Sequence, residues 1–136
     1  MYPDHRIDVN GSRTRFLRAG EDGPPVVLIH GLGASAEIWS PNIGALAAGH
    51  RVFVPDLPGF GRTAVPAGMD FSPAAYSRFV RDFMTALGIG RAALVGHSLG
   101  GGVALRVILD EPGRVDRLVL ASSAGLGPDV SLPLRI

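Results

Sequence analysis

Cysteine is absent from the 136-residue chain, which excludes a disulfide framework and any thiolate-bound metal. Lysine is absent as well: all thirteen basic residues are arginine, and they are scattered along the chain. With a formal net charge of +1 and no basic cluster, the sequence lacks the stripe that tracks nucleic-acid phosphates. Charged residues are sparse, at 18% against 46% hydrophobic, so the chain can build a core and does not belong to the disordered class. No apolar run approaches the length that crosses a bilayer, and the polar opening Met-Tyr-Pro-Asp-His-Arg holds no signal-peptide core. The expectation is one soluble, cytoplasmic domain with neither a nucleic-acid nor a membrane partner.

What is present is a succession of strand and helix signals. Ile7 and Val9 alternate with charged residues, Asn10-Gly11 is a two-residue hairpin turn, and a return strand runs through Thr14, Phe16 and Leu17. After a loop from Gly20 to Pro25, Val26-Val27-Leu28-Ile29 is a continuous apolar run, the pattern of a strand covered on both faces. His30-Gly31-Leu32-Gly33 breaks it. Ser35 is placed to cap a helix through Ile38 and Trp39 toward Leu46, interrupted by Pro41 and Gly44. Val52-Phe53-Val54 is a second buried strand, and Leu57 to Gly68 reads as loop.

The spacing then predicts a helix capped by Ser72 with Pro73 in its first turn. Tyr76, Phe79, Val80, Phe83, Met84 and Leu87 fall on one face, which makes the aromatic stripe core rather than a binding surface. Gly88 and Gly90 end it. Ala92 to Val95 is a third buried strand, Gly96 to Gly100 a sharp turn, and a helix follows through Val103, Leu105, Val107 and Ile108 to a stop at Pro112-Gly113. Leu118-Val119-Leu120 is a fourth strand. Strands alternating with helices predict an α/β fold: a three-layer α/β/α sandwich, mostly parallel, with an antiparallel hairpin at its start.

The chemistry concentrates at Gly96-x-Ser98-x-Gly100, between an apolar strand and an apolar helix. A serine hydroxyl is a weak nucleophile unless substrate and base can both reach it. A tight strand-to-helix turn pushes its oxygen out of the sheet, and Gly96 and Gly100 carry no Cβ to clash there. The Leu99 amide opens the helix, has no intrahelical partner, and is free to donate to an oxyanion. A second donor can come from Leu32, in the loop that Gly31 and Gly33 keep open. The competing account is a glycine-rich turn with an idle serine; Gly101, Gly102 and the strand–helix context argue against it. His30 reads as a brace for its loop, and His97 as a residue that shapes the turn.

On these residues the chain resembles the α/β-hydrolase family, in the branch with a His-Gly oxyanion loop and a Gly-His-Ser-Leu-Gly-Gly elbow. Asp56-Leu57-Pro58-Gly59-Phe60-Gly61 resembles a loop common in that family, where the aspartate braces the loop, so Asp56 is taken as structural. The resemblance implies a Ser98 nucleophile, an acyl-enzyme, a small ester or related carbonyl substrate, and no cofactor or metal. Carbon–carbon bond hydrolysis of keto-acid products stays open beside ester hydrolysis, whereas a serine excludes the branch with an aspartate nucleophile. The family order is serine, acid, histidine. No histidine follows His97, and the later acids are Asp110, Glu111, Asp116 and Asp129. Only Asp129 falls where some family members place the acid. Residues 1–136 are therefore expected to be the amino-terminal part of one hydrolase core domain, without its cap and carboxyl-terminal strands. Such a part is expected to be inactive alone and prone to self-association through the apolar edge at Leu118-Val119-Leu120.

Two alternatives remain at this point. A Rossmann-type dinucleotide-binding domain fits Gly31-x-Gly33-x-x-Ala36 between strand and helix, with Asp56 ending the next strand. A non-catalytic binding module on the hydrolase fold fits the missing histidine.

Overall fold

At the first turn of the computed structural model, which describes residues 1–127, Asn10 and Gly11 take φ angles of 50° and 84°. Two positive values are what a type I′ turn requires. The turn folds β1 (Asp4–Val9) back onto β2 (Ser12–Ala19), with Val9 opposite Ser12. β2 in turn runs antiparallel to β4 (Arg51–Pro55). From there the sheet is parallel. β3 (Pro25–Ile29) lies between β4 and β5 (Ala92–His97), and β6 (Val115–Ala121) pairs with β5. The order is β1-β2-β4-β3-β5-β6.

The helix expected over residues 36–46 is two pieces, a 3₁₀ turn at Ala36–Trp39 and then α1 (Ser40–Ala47). Pro41 lies in the first turn of α1, where its missing N–H costs nothing, so the chain restarts a helix there instead of ending one. Ser35 precedes the 3₁₀ turn as expected, but its hydroxyl donates to Glu37 Oε2 (2.7 Å) instead of capping the backbone. Ser72 does cap α2 (Pro73–Ala86), accepting from the Ala75 N–H at 3.1 Å. The last helix, α3 (Leu99–Asp110), begins directly after the elbow serine.

Successive residues of β3 and β4 enter opposite cores. Val27, Ile29 and Phe53 pack with Phe79, Val80, Phe83, Val103 and Val107 of α2 and α3. Val26, Leu28, Val52 and Val54 pack with Trp39 and Ile43 on the other face. The result is the expected three-layer α/β sandwich. Among the parallel strands, the third in sequence, β5, lies beside the first, β3. A classic Rossmann order puts the second and third on one side of the first, so the dinucleotide-binding alternative is overturned by topology. β6 has one neighbour among the described residues, and its Val119 is 52% exposed. No helix among the described residues is long and apolar enough to cross a membrane.

Periodicity gives no hint of Arg15. Its side chain lies in β2, buried, in ion pairs with Asp4 (2.6 Å), Glu37 and Asp56 (3.3 Å). A buried guanidinium is tolerable only when paired and hydrogen-bonded throughout. Here the pairing ties β1, β2, the 3₁₀ turn and the end of β4 to one cation. The Arg15 hydrogen bond, helped by the Ser35 hydroxyl, pulls the Glu37 carboxyl from 4.5 down to about 2. Arg15 and then Arg62 hold Asp4 below its ordinary value as well.

A depressed carboxyl pKa stabilises the fold above the unfolded value, and that gain disappears as pH falls through the folded one. The Glu37 contribution is thus complete above its unfolded pKa of 4.5 and gone near its folded pKa of about 2. Urea unfolding should therefore show Glu37→Gln less stable than the parent at neutral pH. The gap should close across that acid window; a gap unchanged by acid would contradict the pairing.

Candidate active site

The loops after β3 and β5 leave the sheet at the point where strand order reverses. That is where open parallel sheets leave a crevice beyond their carboxyl ends. A cleft of about 350 Å³ lies there, lined among others by Gly31, Leu32, His97 and Ser98. β5 delivers Ser98 and β3 delivers Gly31 and Leu32.

Ser98 takes φ 53° and ψ −119°, a strained backbone for a residue with a side chain. Its main chain is held on several sides. The N–H donates to the Ala121 carbonyl (3.1 Å), and its own carbonyl accepts from Gly101 (3.0 Å) and Ala124 (2.9 Å). Although Ser98 stands at the N-cap of α3, its hydroxyl does not cap the helix, in contrast to Ser72. The Ser98 hydroxyl enters no hydrogen bond among the described residues, with imidazole, carboxylate or backbone. Asp129, the acid singled out from the sequence, lies outside those residues.

The glycines of the elbow are dictated by contact. A Cβ on Gly96 would lie 2.3 Å from the Gly100 carbonyl oxygen, and one on Gly100 would lie 2.2 Å from that of Ile29. Gly31 is the crowded residue of the other loop, where a Cβ would meet Ser98 Cβ at 3.1 Å. Gly33 faces open space, and its φ of +70° is what favours glycine there.

Of the two expected oxyanion donors, Leu32 lines the cleft and its side chain is 56% exposed. Leu99 does not line it: the side chain packs against the core, leaving only the N–H at the start of α3. Neither amide donates to any acceptor among the described residues.

His30 braces the loop, as expected. It is fully buried, and its Nε2 accepts from the Leu57 N–H at 2.9 Å. The acceptor role puts the ring proton on Nδ1, which donates to the Gly31 carbonyl at 2.8 Å. Burial pushes the His30 pKa below its ordinary value and so favours this neutral form. Asp56 is equally committed. Fully buried, it accepts from the N–H groups of Ala36 (2.7 Å) and Arg62 (2.8 Å) and pairs with Arg15. It is structural, as the sequence implied.

Trp39, Asn42 and Ala121 also line the cleft. Sequence reasoning assigned Trp39 to a helix and gave the other two no role, because the contacts that gather them run between elements. The glycine geometry yields a paired prediction. Gly100→Ala drives a Cβ into fixed carbonyls and should cost about 3 kcal/mol or more of unfolding free energy. Gly102→Ala meets nothing closer than 3.5 Å inside α3. It should be neutral or stabilising by up to about 1 kcal/mol. Denaturant unfolding of both variants checks the contrast.

Comparison with known proteins agrees with this geometry. The family model for the alpha/beta hydrolase fold matches residues 24–134. An uncharacterised protein of Mycobacterium tuberculosis is 42% identical over 128 residues, covering 94% of this chain and 37% of that protein. The 2-hydroxy-6-oxo-6-(2'-aminophenyl)hexa-2,4-dienoic acid hydrolase of Metapseudomonas resinovorans is 38% identical over 138 residues, covering 98% of this chain and 47% of the enzyme. A meta-cleavage product hydrolase from Pseudomonas fluorescens superposes with a TM-score of 0.87 at 38% identity, over 96% of this chain and 48% of that one. The chain thus spans less than half the length of these relatives. Sheet order, elbow and family match coincide, and the chain belongs to the alpha/beta hydrolase fold family.

Proposed function

We propose that this chain carries the nucleophile and oxyanion-hole portion of a serine hydrolase acting on an ester or related carbonyl compound. The observation that supports it best is the uncommitted Ser98 hydroxyl on a strained strand-to-helix elbow, in a cleft shared with Leu32. In this scheme Ser98 Oγ adds to the carbonyl carbon, and the carbonyl oxygen becomes an anion that accepts from the Leu32 and Leu99 N–H groups. Collapse of the tetrahedral intermediate expels the leaving group, which takes up the proton lost by Ser98, and forms an acyl-serine. Water then adds to the acyl carbon and releases the acid, returning the proton to Ser98. Ester cleavage and carbon–carbon cleavage of keto-acid products both fit this scheme, and two of the similar proteins are named for the second chemistry. The scheme uses no metal or cofactor.

The proton on Ser98 must go to a base, and no described residue is bonded to the hydroxyl. That observation also favours a second reading, a binding module that keeps the fold without turnover. Labelling of the serine separates them. A fluorophosphonate should label Ser98 selectively, though slowly, because oxyanion donors retain part of their effect without a base. Scattered labelling of other serines, or none, would eliminate the nucleophile. Turnover of p-nitrophenyl acetate by the chain alone should match that of Ser98→Ala. Serine-dependent turnover would require a base that the described residues do not offer.

The partner expected besides a small-molecule substrate is a second copy of the chain, meeting it at the edge of β6 that no described strand pairs with. The half-exposed Val119 on that strand supports this. Sedimentation velocity should find the chain associated and Val119→Arg shifted toward monomer; a monomeric parent chain would overturn the idea.

A further inference from the structure

Three buried polar side-chain atoms among the described residues have no hydrogen-bond partner: Trp39 Nε1, His97 Nδ1 and Arg81 Nε. Arg81 belongs to an ion-pair group with Asp110 and Glu111, away from the cleft. The other two belong to residues that line the cleft with Ser98. A buried polar atom without a partner is costly and uncommon in folded proteins, so two at one cleft point to an occupant that supplies the missing atoms.

Trp39 narrows the chemistry of that occupant. The indole N–H donates and cannot accept, so it calls for an acceptor. Trp39 is 9% exposed, its ring fixed in the core with Leu28 and Ile43, so it cannot swing out to water. Leu32 and Ile38 share the cleft wall and are 56% and 40% exposed, free to move aside as a ligand enters. None of the nine lining residues is Arg, Asp or Glu. A carboxylate brought there would find no guanidinium among the described lining residues to pair with, whereas an oxo or ether oxygen needs only a donor.

We propose that Trp39 is a substrate-recognition residue whose indole N–H donates to a second, uncharged oxygen of the bound acyl compound. The cleft then selects oxo-acyl over plain alkyl-acyl groups. This rests on the serine hydrolase reading for its place in catalysis, but the binding it describes can be measured without turnover.

Trp39 is the only tryptophan, so a ¹⁵N-labelled chain has one indole N–H resonance. In the Ser98→Ala chain, methyl 3-oxobutanoate should move that resonance downfield. It should also bind about tenfold more tightly than methyl butanoate, the same ester without the oxo group. Trp39→Phe keeps the ring packing and should lose the preference; the parent titration stands whether or not that variant folds. An indole resonance that stays in place, one that moves equally with both esters, or a cleft untouched by either overturns the proposal. Fluorophosphonate labelling of Ser98 is read on the unsubstituted chain. Its failure beside an intact indole shift removes the nucleophile and leaves the recognition site standing.

Discussion

The approach of α3 to the end of β3 is the contact on which the site depends. At Gly100 the helix backbone meets the carbonyls of Ile29 and His30 with no room for a side chain, and at Gly96 the strand meets the helix in the same way. These contacts set how far α3 sinks toward the sheet. They thereby set where the Leu99 N–H and the Ser98 hydroxyl stand relative to the loop carrying Leu32. The positive φ of Ser98 follows from the same geometry. A strand that turns into a helix within one residue leaves that residue no ordinary conformation, and the hydrogen bonds to its main chain hold it there.

The opposite wall is fixed by polar groups. Asp56 gathers two backbone N–H groups and Arg15, Arg15 gathers three carboxylates, and His30 joins the loop after β3 to Leu57 after β4. Gly61 is part of this arrangement, because a Cβ there would lie 2.2 Å from Asp56 Oδ2. Such groups are expensive to bury singly and rigid once all are bonded. They leave the two loops little freedom, as donors require if they are to stabilise charge without reorganising. Rigidity therefore comes from two sources, backbone contact on the α3 side and bonded charge on the β2 and β4 side.

Much of this was legible in the sequence wherever neighbouring residues decide the outcome. Asn10-Gly11 determined the hairpin because positive φ is intrinsic to those residues. The spacing of Tyr76, Phe79, Val80, Phe83 and Met84 determined the buried face of α2, because helical period and burial act over one turn. The strand, Gly-x-Ser-x-Gly and helix in succession determined the elbow. The local rule that failed was Ser35 as a side-chain cap, where the Glu37 carboxylate took the hydroxyl.

Tertiary structure alone decided the rest. An apolar run states that both faces of a strand are covered but not which strand lies beside it. That is why a glycine pattern and Asp56 left a dinucleotide fold open until β5 was found beside β3. Arg15 sits among alternating residues like any surface arginine. Its burial depends on carboxylates 11, 22 and 41 positions away in sequence, brought together only by the fold. Trp39 had a helix position and nothing more until the packing of the 3₁₀ turn placed its ring in the core beside the cleft. Backbone preference acts between adjacent residues and can be read along the chain, whereas burial and hydrogen-bond partnership belong to residues distant in sequence and exist only once the sheet has formed.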